Sequence, residues 1–395
     1  MKIAYTNAEL HLGNGESYVG TLLTESDTIT AVYPGALLES DRQAADRVVD
    51  LMGKAVIPGL VDVHTHGRAG YDFNDASPEG LRVAARSYVK SGVTTLMPTL
   101  ASAPFENLCE ASDRIASLCG KDHVADGMLP CFAGIHLEGR YLNPEKRGAH
   151  ATEYLALLDE AEIKTLIPHL GDRFHVSCAA ELDRSGEFLK AIREAGGSIG
   201  LGHTAATYKE AMQAIENGVI SFTHTFNAMP PLHHREGGAV SAALTSDAYA
   251  ELIVDGIHIA PEMVKLAYRC KGARRLVLIT DSMQATDCAD GTYTIAGMTC
   301  IVKDGKAMTV DGHLAGSTLS LIDGLRNLMQ FCAISLDEAL PTVTLTPAEM
   351  MRIDPVCGSL EVGKKADFLI LDSDFFSVKK PIDTVVLCGE MIDLK

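Results

Sequence analysis

The middle of the chain alternates short apolar runs with segments of helical character. This is the pattern of a parallel sheet built from strand–helix units. Eight such runs occur, which is the number that closes a barrel. We therefore predict an α/β fold, a (β/α)₈ TIM barrel. The predicted strands are 55–63, 93–98, 131–137, 174–178, 198–201, 221–225, 251–254 and 276–280.

Both ends of the chain show a different pattern, with short strand-like runs separated by turn residues. Examples are 2–6 and 17–23 near the start, and 366–371 and 384–388 near the end. Two strand-rich ends that flank a long middle predict one small, discontinuous β-sandwich domain formed by both termini. We expect that domain to contain 1–54 and 353–395, with the barrel over 55–352.

Length and charge narrow the class of protein. A chain of 395 residues accommodates one barrel of about 250 residues and a smaller module. The formal charge of −18 argues against a nucleic-acid partner, because phosphate backbones are bound by an excess of Lys and Arg. An anionic small substrate stays possible, since it needs only a local cluster of donors and cations.

The ten cysteines are scattered without a C-x-x-C pair, so we expect them to be reduced. The N-terminus lacks the apolar core of a signal peptide, and no stretch approaches the ~18 to 20 apolar residues that span a bilayer. We predict a cytoplasmic protein with no membrane partner.

Polar residues cluster at the ends of the predicted strands, where a barrel places its chemistry. The two histidines of the H-x-H motif after the first strand project to the same face. A glutamate ends the third strand, histidines follow the fifth and sixth, and an aspartate follows the eighth. The candidate metal ligands are His64, His66, Glu138, His203, His224 and Asp281. His136, on the same face as Glu138, is interpreted as a supporting core residue.

Histidine and carboxylate ligands predict a divalent metal with open positions for water and substrate. Such an ion lowers the pKa of bound water towards ~7 and polarises a carbonyl. A nearby carboxylate can accept the proton and deliver it to a leaving amine, which is sufficient chemistry for amide hydrolysis. The ligand types suit zinc, ferrous iron, manganese and nickel alike.

From about Pro58 onward the chain resembles the amidohydrolase superfamily. More specific segments are similar to the N-acetylglucosamine-6-phosphate deacetylases, and the Asn-Ala-Met-Pro run followed by Arg235 is the most specific of them. These segments are 136–139, 202–204, 224–230, 255–258 and 314–317.

The resemblance implies roles for the candidate residues. Glu138, His203 and His224 would hold a main metal, and His64, His66, Asp281 and a shared Glu138 a second. We expect one or two divalent ions per subunit, zinc or iron before others, with Asp281 as general base. The implied substrate contacts are His150, Asn227, Ala228, Arg235 and His258. The counterpart of His258 reaches across from a partner subunit in that family, which implies a homodimer.

Two departures from the family pattern leave the substrate open. Arg140 and Gly237 stand where the family commonly has proline, and Arg140 lies close to Glu138 in sequence. We expect deacetylation of N-acetylglucosamine 6-phosphate, a phosphorylated amino sugar, with the galacto isomer as the competing substrate. Another amidohydrolase activity, on a cyclic amide or as a deaminase, is the second hypothesis. A barrel without catalysis is the third, and the presence of Asp281 speaks against it.

Overall fold

The computed structural model describes residues 1–119, 129–392 and 394. Its strands are β1 (Lys2–His11), β2 (Ser17–Glu25), β3 (Thr28–Pro34), β4 (Arg47–Asp50), β5 (Ala55–Pro58), β6 (Leu60–Thr65), β7 (Gly67–Arg68), β8 (Tyr71–Asp72), β9 (Val93–Ala101), β10 (Cys131–Phe132), β11 (Ile135–Glu138), β12 (Phe174–Cys178), β13 (Ser198–Leu201), β14 (Val219–Phe222), β15 (Tyr249–Ile253), β16 (Leu276–Ile279), β17 (Gly291–Ile295), β18 (Met298–Lys303), β19 (Lys306–Thr309), β20 (Phe368–Leu371), β21 (Ile382–Leu387) and β22 (Glu390–Ile392).

The α-helices are α1 (Glu39–Ala44), α2 (Pro78–Lys90), α3 (Phe105–Ala116), α4 (Glu160–Leu166), α5 (Glu187–Glu194), α6 (Tyr208–Glu216), α7 (Gly238–Thr245), α8 (Pro261–Lys271), α9 (Leu321–Cys332), α10 (Leu336–Ala339) and α11 (Leu345–Met350). Short 3₁₀ helices occupy Pro144–Lys146, Thr152–Tyr154, Ile167–His169, Ala180–Leu182 and Leu340–Val343. No helix among the residues described has the length and apolar character that crossing a bilayer requires.

Strands from both chain ends form one mixed sheet in the order β22-β21-β20-β5-β1-β2-β3. A register shift between Tyr5 and Ala8 divides β1, which pairs through 3–6 with β4 and through 9–10 with β5. The interior of this module is apolar, and the rings of Tyr5 and Phe368 meet edge to face with centroids 5.0 Å apart. The predicted union of the two termini is confirmed, whereas the domain boundaries at 54 and 352 stay a prediction.

The predicted first strand, 55–63, is wrong as a single element. Residues Ala55–Pro58 pair with β1 and β20 in the terminal sheet, and the barrel strand begins at Leu60. Gly59 separates the two pieces, and a Cβ on it would lie 2.0 Å from the hydroxyl of Thr94. Only glycine allows the backbone to approach β9 so closely while it passes from one sheet into the other.

The barrel sheet runs in parallel from β6 through β9 and then β11 to β16. Its two edges, β16 and β6, meet without a regular ladder. The backbone N–H of Asp281 donates to the carbonyl of His64 at 2.9 Å, and the Thr280 hydroxyl donates to Asp62 Oδ2 at 2.6 Å. These bonds connect the strand ends that carry His64 and Asp281, and the predicted barrel is confirmed.

Removal of the Thr280 hydroxyl tests this closure. Burial raises the pKa of Asp62 to about 6 and the bonds from Thr280 oppose that shift, so Thr280→Val leaves a buried carboxyl short of its best donor. We expect a loss of about 1–3 kcal/mol of stability, measured as a lower urea midpoint. The control is Thr342→Val, whose buried hydroxyl donates only to the Ala339 carbonyl in its own turn. Equal destabilisation by the two changes would contradict a special role for the Thr280–Asp62 bond.

Candidate metal centre

The six candidate ligands converge at the carboxyl ends of five barrel strands, and all are buried. His64 lies in β6 and His66 follows it, Glu138 ends β11, and the remaining three follow β13, β14 and β16. The set comprises His64, His66, Glu138, His203, His224 and Asp281. Because parallel strands bring their carboxyl ends to one rim, residues far apart in sequence meet here.

Glu138 is the centre of the cluster. Its Oε1 lies 2.7 Å from His224 Nε2 and 3.3 Å from His203 Nε2. Its Oε2 lies 2.9 Å from His66 Nε2 and 3.3 Å from His64 Nε2. One carboxylate therefore faces a histidine pair on each oxygen, which is the arrangement of a ligand that two cations can share.

Asp281 completes one half of the cluster, with Oδ1 3.2 Å from His66 Nε2 and 3.6 Å from His64 Nε2. In the described ranges, two groups have ligand atoms all within 4.8 Å of one another: His64, His66, Glu138 and Asp281 in one, and Glu138, His150 and His203 in the other. Within the part of the chain described, the buried His64 Nε2 has no hydrogen-bond partner. A divalent cation fits this donor set, since neutral imidazoles and carboxylates are its ordinary ligands.

Electrostatics link the carboxylates and the imidazoles. Burial alone would raise the pKa of Glu138, but the charges of His64 and His224 hold it well below its usual value. Burial disfavours protonation of His66, yet Asp281 and Glu138 raise its pKa to about 9. Without a metal, protons on the histidines balance the carboxylates, so metal binding must release protons.

Several ligands stand on strained backbone. His203, His224 and Asp281 have φ values of +46°, +30° and +48°, in a region that residues other than glycine seldom adopt. The ring of His203 is also anchored, since its Nδ1 donates to the Lys146 carbonyl at 2.7 Å. That bond leaves Nε2 of the neutral ring free to act as a ligand.

A cavity of about 400 Å³ opens above the cluster. Four of the predicted substrate contacts line it: His150, Asn227, Ala228 and His258. The hairpin sheet β17–β19 and the loop after it contribute a further wall, with Ile295, Ala296, His313 and Leu314. The eight-strand pattern did not predict these antiparallel strands, which follow the eighth barrel strand, although segment 314–317 was among the family-like segments.

Two predicted contacts need separate description. His258 lines the cavity of its own chain, and the expectation that it reaches into the site of a partner subunit stays a prediction. Arg235 lies outside that cavity, in a separate surface depression with His233 and His234, and its Nη1 is 2.9 Å from His234 Nε2. A role for Arg235 at the substrate stays a prediction.

Arg140, which follows Glu138 closely in sequence, points elsewhere. Its guanidinium forms a two-pronged ion pair with Glu162, at 2.8 and 3.0 Å, and lies 5.6 Å from the ring centre of Phe105. It does not line the cavity. Its position gives no support to an influence on sugar selectivity.

Glu251, a residue beside the cluster, was not among the candidates predicted from the sequence. Glu251 is fully buried in β15, with Oε2 3.1 Å from His64 Nδ1. The available signal was a lone acidic residue inside the apolar run 249–254. His136 behaves as interpreted from sequence, buried below the cluster with Nε2 2.8 Å from the Ser177 hydroxyl.

Comparisons with known proteins show the family to which this chain belongs. The model of the Amidohydrolase family matches residues 55–392. The chain is 36% identical over 347 residues to the N-acetylgalactosamine-6-phosphate deacetylase of Escherichia coli O157:H7, covering 87% of this chain and 88% of the relative. It is 34% identical over 364 residues to the N-acetylglucosamine-6-phosphate deacetylase of Vibrio furnissii, covering 90% and 87%. The crystal structure of N-acetylglucosamine-6-phosphate deacetylase from Pasteurella multocida aligns with a TM-score of 0.88 at 29% identity, covering 99% and 100%.

Neutralising Glu138 tests whether the cluster is a metal site. Glu138→Gln removes the charge that both histidine pairs face, so we expect metal content to fall at least tenfold after loading and dialysis. Elemental analysis of the purified protein measures this. Glu162→Gln is the matched control, since that carboxylate pairs with Arg140 outside the cavity. Equal metal content in the two variants would rule out Glu138 as a ligand.

Proposed function

We propose, since the chain belongs to the amidohydrolase family, that it hydrolyses the N-acetyl amide of N-acetylglucosamine 6-phosphate. Water is consumed, and glucosamine 6-phosphate and acetate are released. The observation that carries this proposal is the buried carboxylate of Asp281 beside a histidine cluster centred on Glu138, at the base of a 400 Å³ cavity. The cavity is large enough for a small sugar, and the cluster supplies hydrolytic groups.

The proposed ligands are Glu138, His203 and His224 for a main ion, with His64, His66 and Asp281 around a second. A divalent ion there would supply an acidified water and a polarised carbonyl. Zinc or iron is the proposed ion, since both accept this mixture of nitrogen and oxygen donors. A phosphorylated sugar does not cross membranes unaided, which supports a cytoplasmic location.

Asp281 is the proposed general base. Burial would raise its pKa, but the charges of His64 and His66 lower it below the ordinary value, so the carboxylate is ionised at neutral pH. Its oxygen can take a proton from the attacking water and return it to the leaving nitrogen. Without that proton the nitrogen would have to depart as an anion, which is a poor leaving group. The proton transfer is therefore needed for the C–N bond to break.

His150 is suited to hold the acetamido carbonyl. Burial lowers its pKa to about 3, so the ring is neutral. The backbone N–H of Ser102 donates to its Nδ1 at 3.3 Å, and the Ser102 hydroxyl lies 2.9 Å from the same nitrogen. If both donate to Nδ1, the ring proton is on Nε2. A neutral Nε2–H that lines the cavity can donate to a carbonyl oxygen without adding charge to the metal site.

His258 and Asn227 are proposed contacts for the hydroxyls and phosphate. His258 Nδ1 lies 2.7 Å from Asp255 Oδ2, so its Nε2 is free to face the cavity. Ala228 follows Asn227 with φ of +50°, and its carbonyl accepts from the Thr204 N–H at 3.2 Å. That bond ties this loop to the segment that carries His203.

The gluco isomer is the preferred substrate because the Vibrio furnissii and Pasteurella multocida proteins carry that name. The galacto isomer is the alternative, because the Escherichia coli relative acts on it by name. The two sugars differ only in the configuration at C4. We propose that the contact that distinguishes them lies in the loops that line the cavity.

Acetate release by the metal-loaded protein tests the reaction, with both phosphorylated isomers measured side by side. We expect release from N-acetylglucosamine 6-phosphate, with much slower release from the unphosphorylated sugar. Asp281→Asn should retain the main ion held by Glu138, His203 and His224 and lower kcat about a thousandfold, since an amide cannot shuttle the proton. Full turnover by this variant would reject Asp281 as base. Metal-loaded wild-type protein that releases no acetate from either isomer would reject the proposed substrates.

The proposed assembly is a homodimer, and Arg235 is the residue that motivates it. Arg235 is exposed outside its own cavity, yet a guanidinium suits a phosphate because it donates two parallel hydrogen bonds. If Arg235 binds the substrate phosphate in the cavity of a second copy, its position outside its own cavity is explained.

A mixture of two impaired variants distinguishes the two placements of Arg235. Arg235→Ala raises KM, and Asp281→Asn lacks the base. If Arg235 acts across an interface, unfolding and refolding the two chains together restores one site per hybrid dimer, and about half of the hybrid sites regain wild-type KM. If Arg235 acts within its own chain, the mixture shows only the Arg235→Ala activity. A wild-type KM for Arg235→Ala measured alone would reject any role for Arg235 at the substrate. The variants refolded separately and then assayed together are the control.

A further inference from the structure

Glu251 is a charged residue in the interior of the seventh barrel strand, β15, where its side chain is fully buried. Its neighbours in that strand, Ala250, Leu252 and Ile253, are apolar and equally buried. Among the residues described, its one ion-pair partner is His64, and its Oε1 makes no hydrogen bond. Burying a carboxylate so completely is unfavourable unless the charge is paired and hydrogen-bonded.

The contact with His64 defines which ring nitrogen faces the cluster. Glu251 Oε2 lies 3.1 Å from His64 Nδ1, while His64 Nε2 lies 3.3 Å from Glu138 Oε2 on the opposite side of the ring. A carboxylate that accepts from Nδ1–H fixes the tautomer and leaves the Nε2 lone pair for a ligand bond. The ring is thus held from behind with its ligand atom directed at Glu138 and Asp281.

A second contact connects Glu251 with the other half of the cluster. The backbone N–H of His224 donates to the same Oε2 at 3.3 Å, and the N–H of Thr225 donates to the Glu251 carbonyl at 2.8 Å. His224 has a φ of +30°, so this turn needs tertiary bonds to keep its shape. One side chain therefore fixes His64 and the turn that presents His224.

We propose that Glu251 is a positioning residue that sets the tautomer of His64 and the turn at His224. It thereby orients one proposed ligand in each half of the metal centre. Its consequence for catalysis rests on the proposed function, whereas its consequence for metal binding is measured without substrate. Failure of the deacetylase assay would therefore leave this inference intact. Unchanged metal binding in the Glu251 variants would reject the inference, whichever substrate the protein hydrolyses.

The experiment compares Glu251→Gln and Glu251→Leu with wild-type protein. Zn²⁺ is titrated calorimetrically into metal-free protein, and the visible absorption of the Co²⁺-loaded protein reports the ligand geometry. Asp367→Asn is the control, since Asp367 is also a buried carboxyl that accepts a backbone N–H, from Cys388, but lies outside the cluster. Thermal melting of the metal-free proteins separates loss of fold from loss of ligand geometry.

We expect Glu251→Leu to bind zinc about 10–100-fold more weakly, or to lose one equivalent, with an altered Co²⁺ spectrum. Glu251→Gln retains an acceptor oxygen without the charge, so its affinity should lie between wild type and Leu. If the Leu variant does not fold, the Gln variant carries the comparison alone. Wild-type stoichiometry, affinity and Co²⁺ spectrum in a folded Glu251 variant would overturn the proposal, as would an equal change in Asp367→Asn.

Discussion

The site depends on one buried carboxylate, Glu138, that faces four imidazoles at 2.7–3.3 Å. Such a group is tolerable in a barrel interior only when positive charge surrounds it. The histidines provide that charge as protons, or a cation provides it in their place. Because the four rings come from β6 and the turns after β13 and β14, the balance requires a closed barrel. The closed barrel and the histidine cluster are therefore both needed to balance the buried charge of Glu138.

The floor beneath Glu138 is polar and nevertheless uncharged. His136 stacks edge to face on His64 with centroids 4.5 Å apart, and His175 lies 4.9 Å below His136. Burial lowers the pKa of His136 well below its usual value and that of His175 to about 4, so both stay neutral. The hydroxyls of Ser177 and Ser198 satisfy a nitrogen of each ring. These neutral rings fill the barrel without competing for the carboxylates above.

The sequence pattern predicted the residues at the ends of the barrel strands. It did not predict features that depend on tertiary contacts or on the path of a loop. His64, His66 and Glu138 follow apolar runs, and parallel strands bring such positions together, so their proximity followed from the pattern alone. Glu251 lies inside its strand and not at its end, so its only signal was that of a lone acidic residue in an apolar run. The position of Arg235 depends on the path of a loop, which hydrophobic periodicity does not determine. The division at Gly59 depends on contact with Thr94, which is also invisible in sequence.

The division between strands and loops explains why motifs indicate the reaction better than the sugar. Strand ends hold the proposed hydrolytic groups, and their strained turns are fixed by bonds such as that from His224 N–H to Glu251. Much of the remaining cavity lining comes from loops, including Asn227–Ala228 and the loop that carries His313. Loops tolerate substitution more readily than packed strands. A change of configuration at one sugar carbon can therefore be accommodated in these loops without a change at the proposed metal ligands.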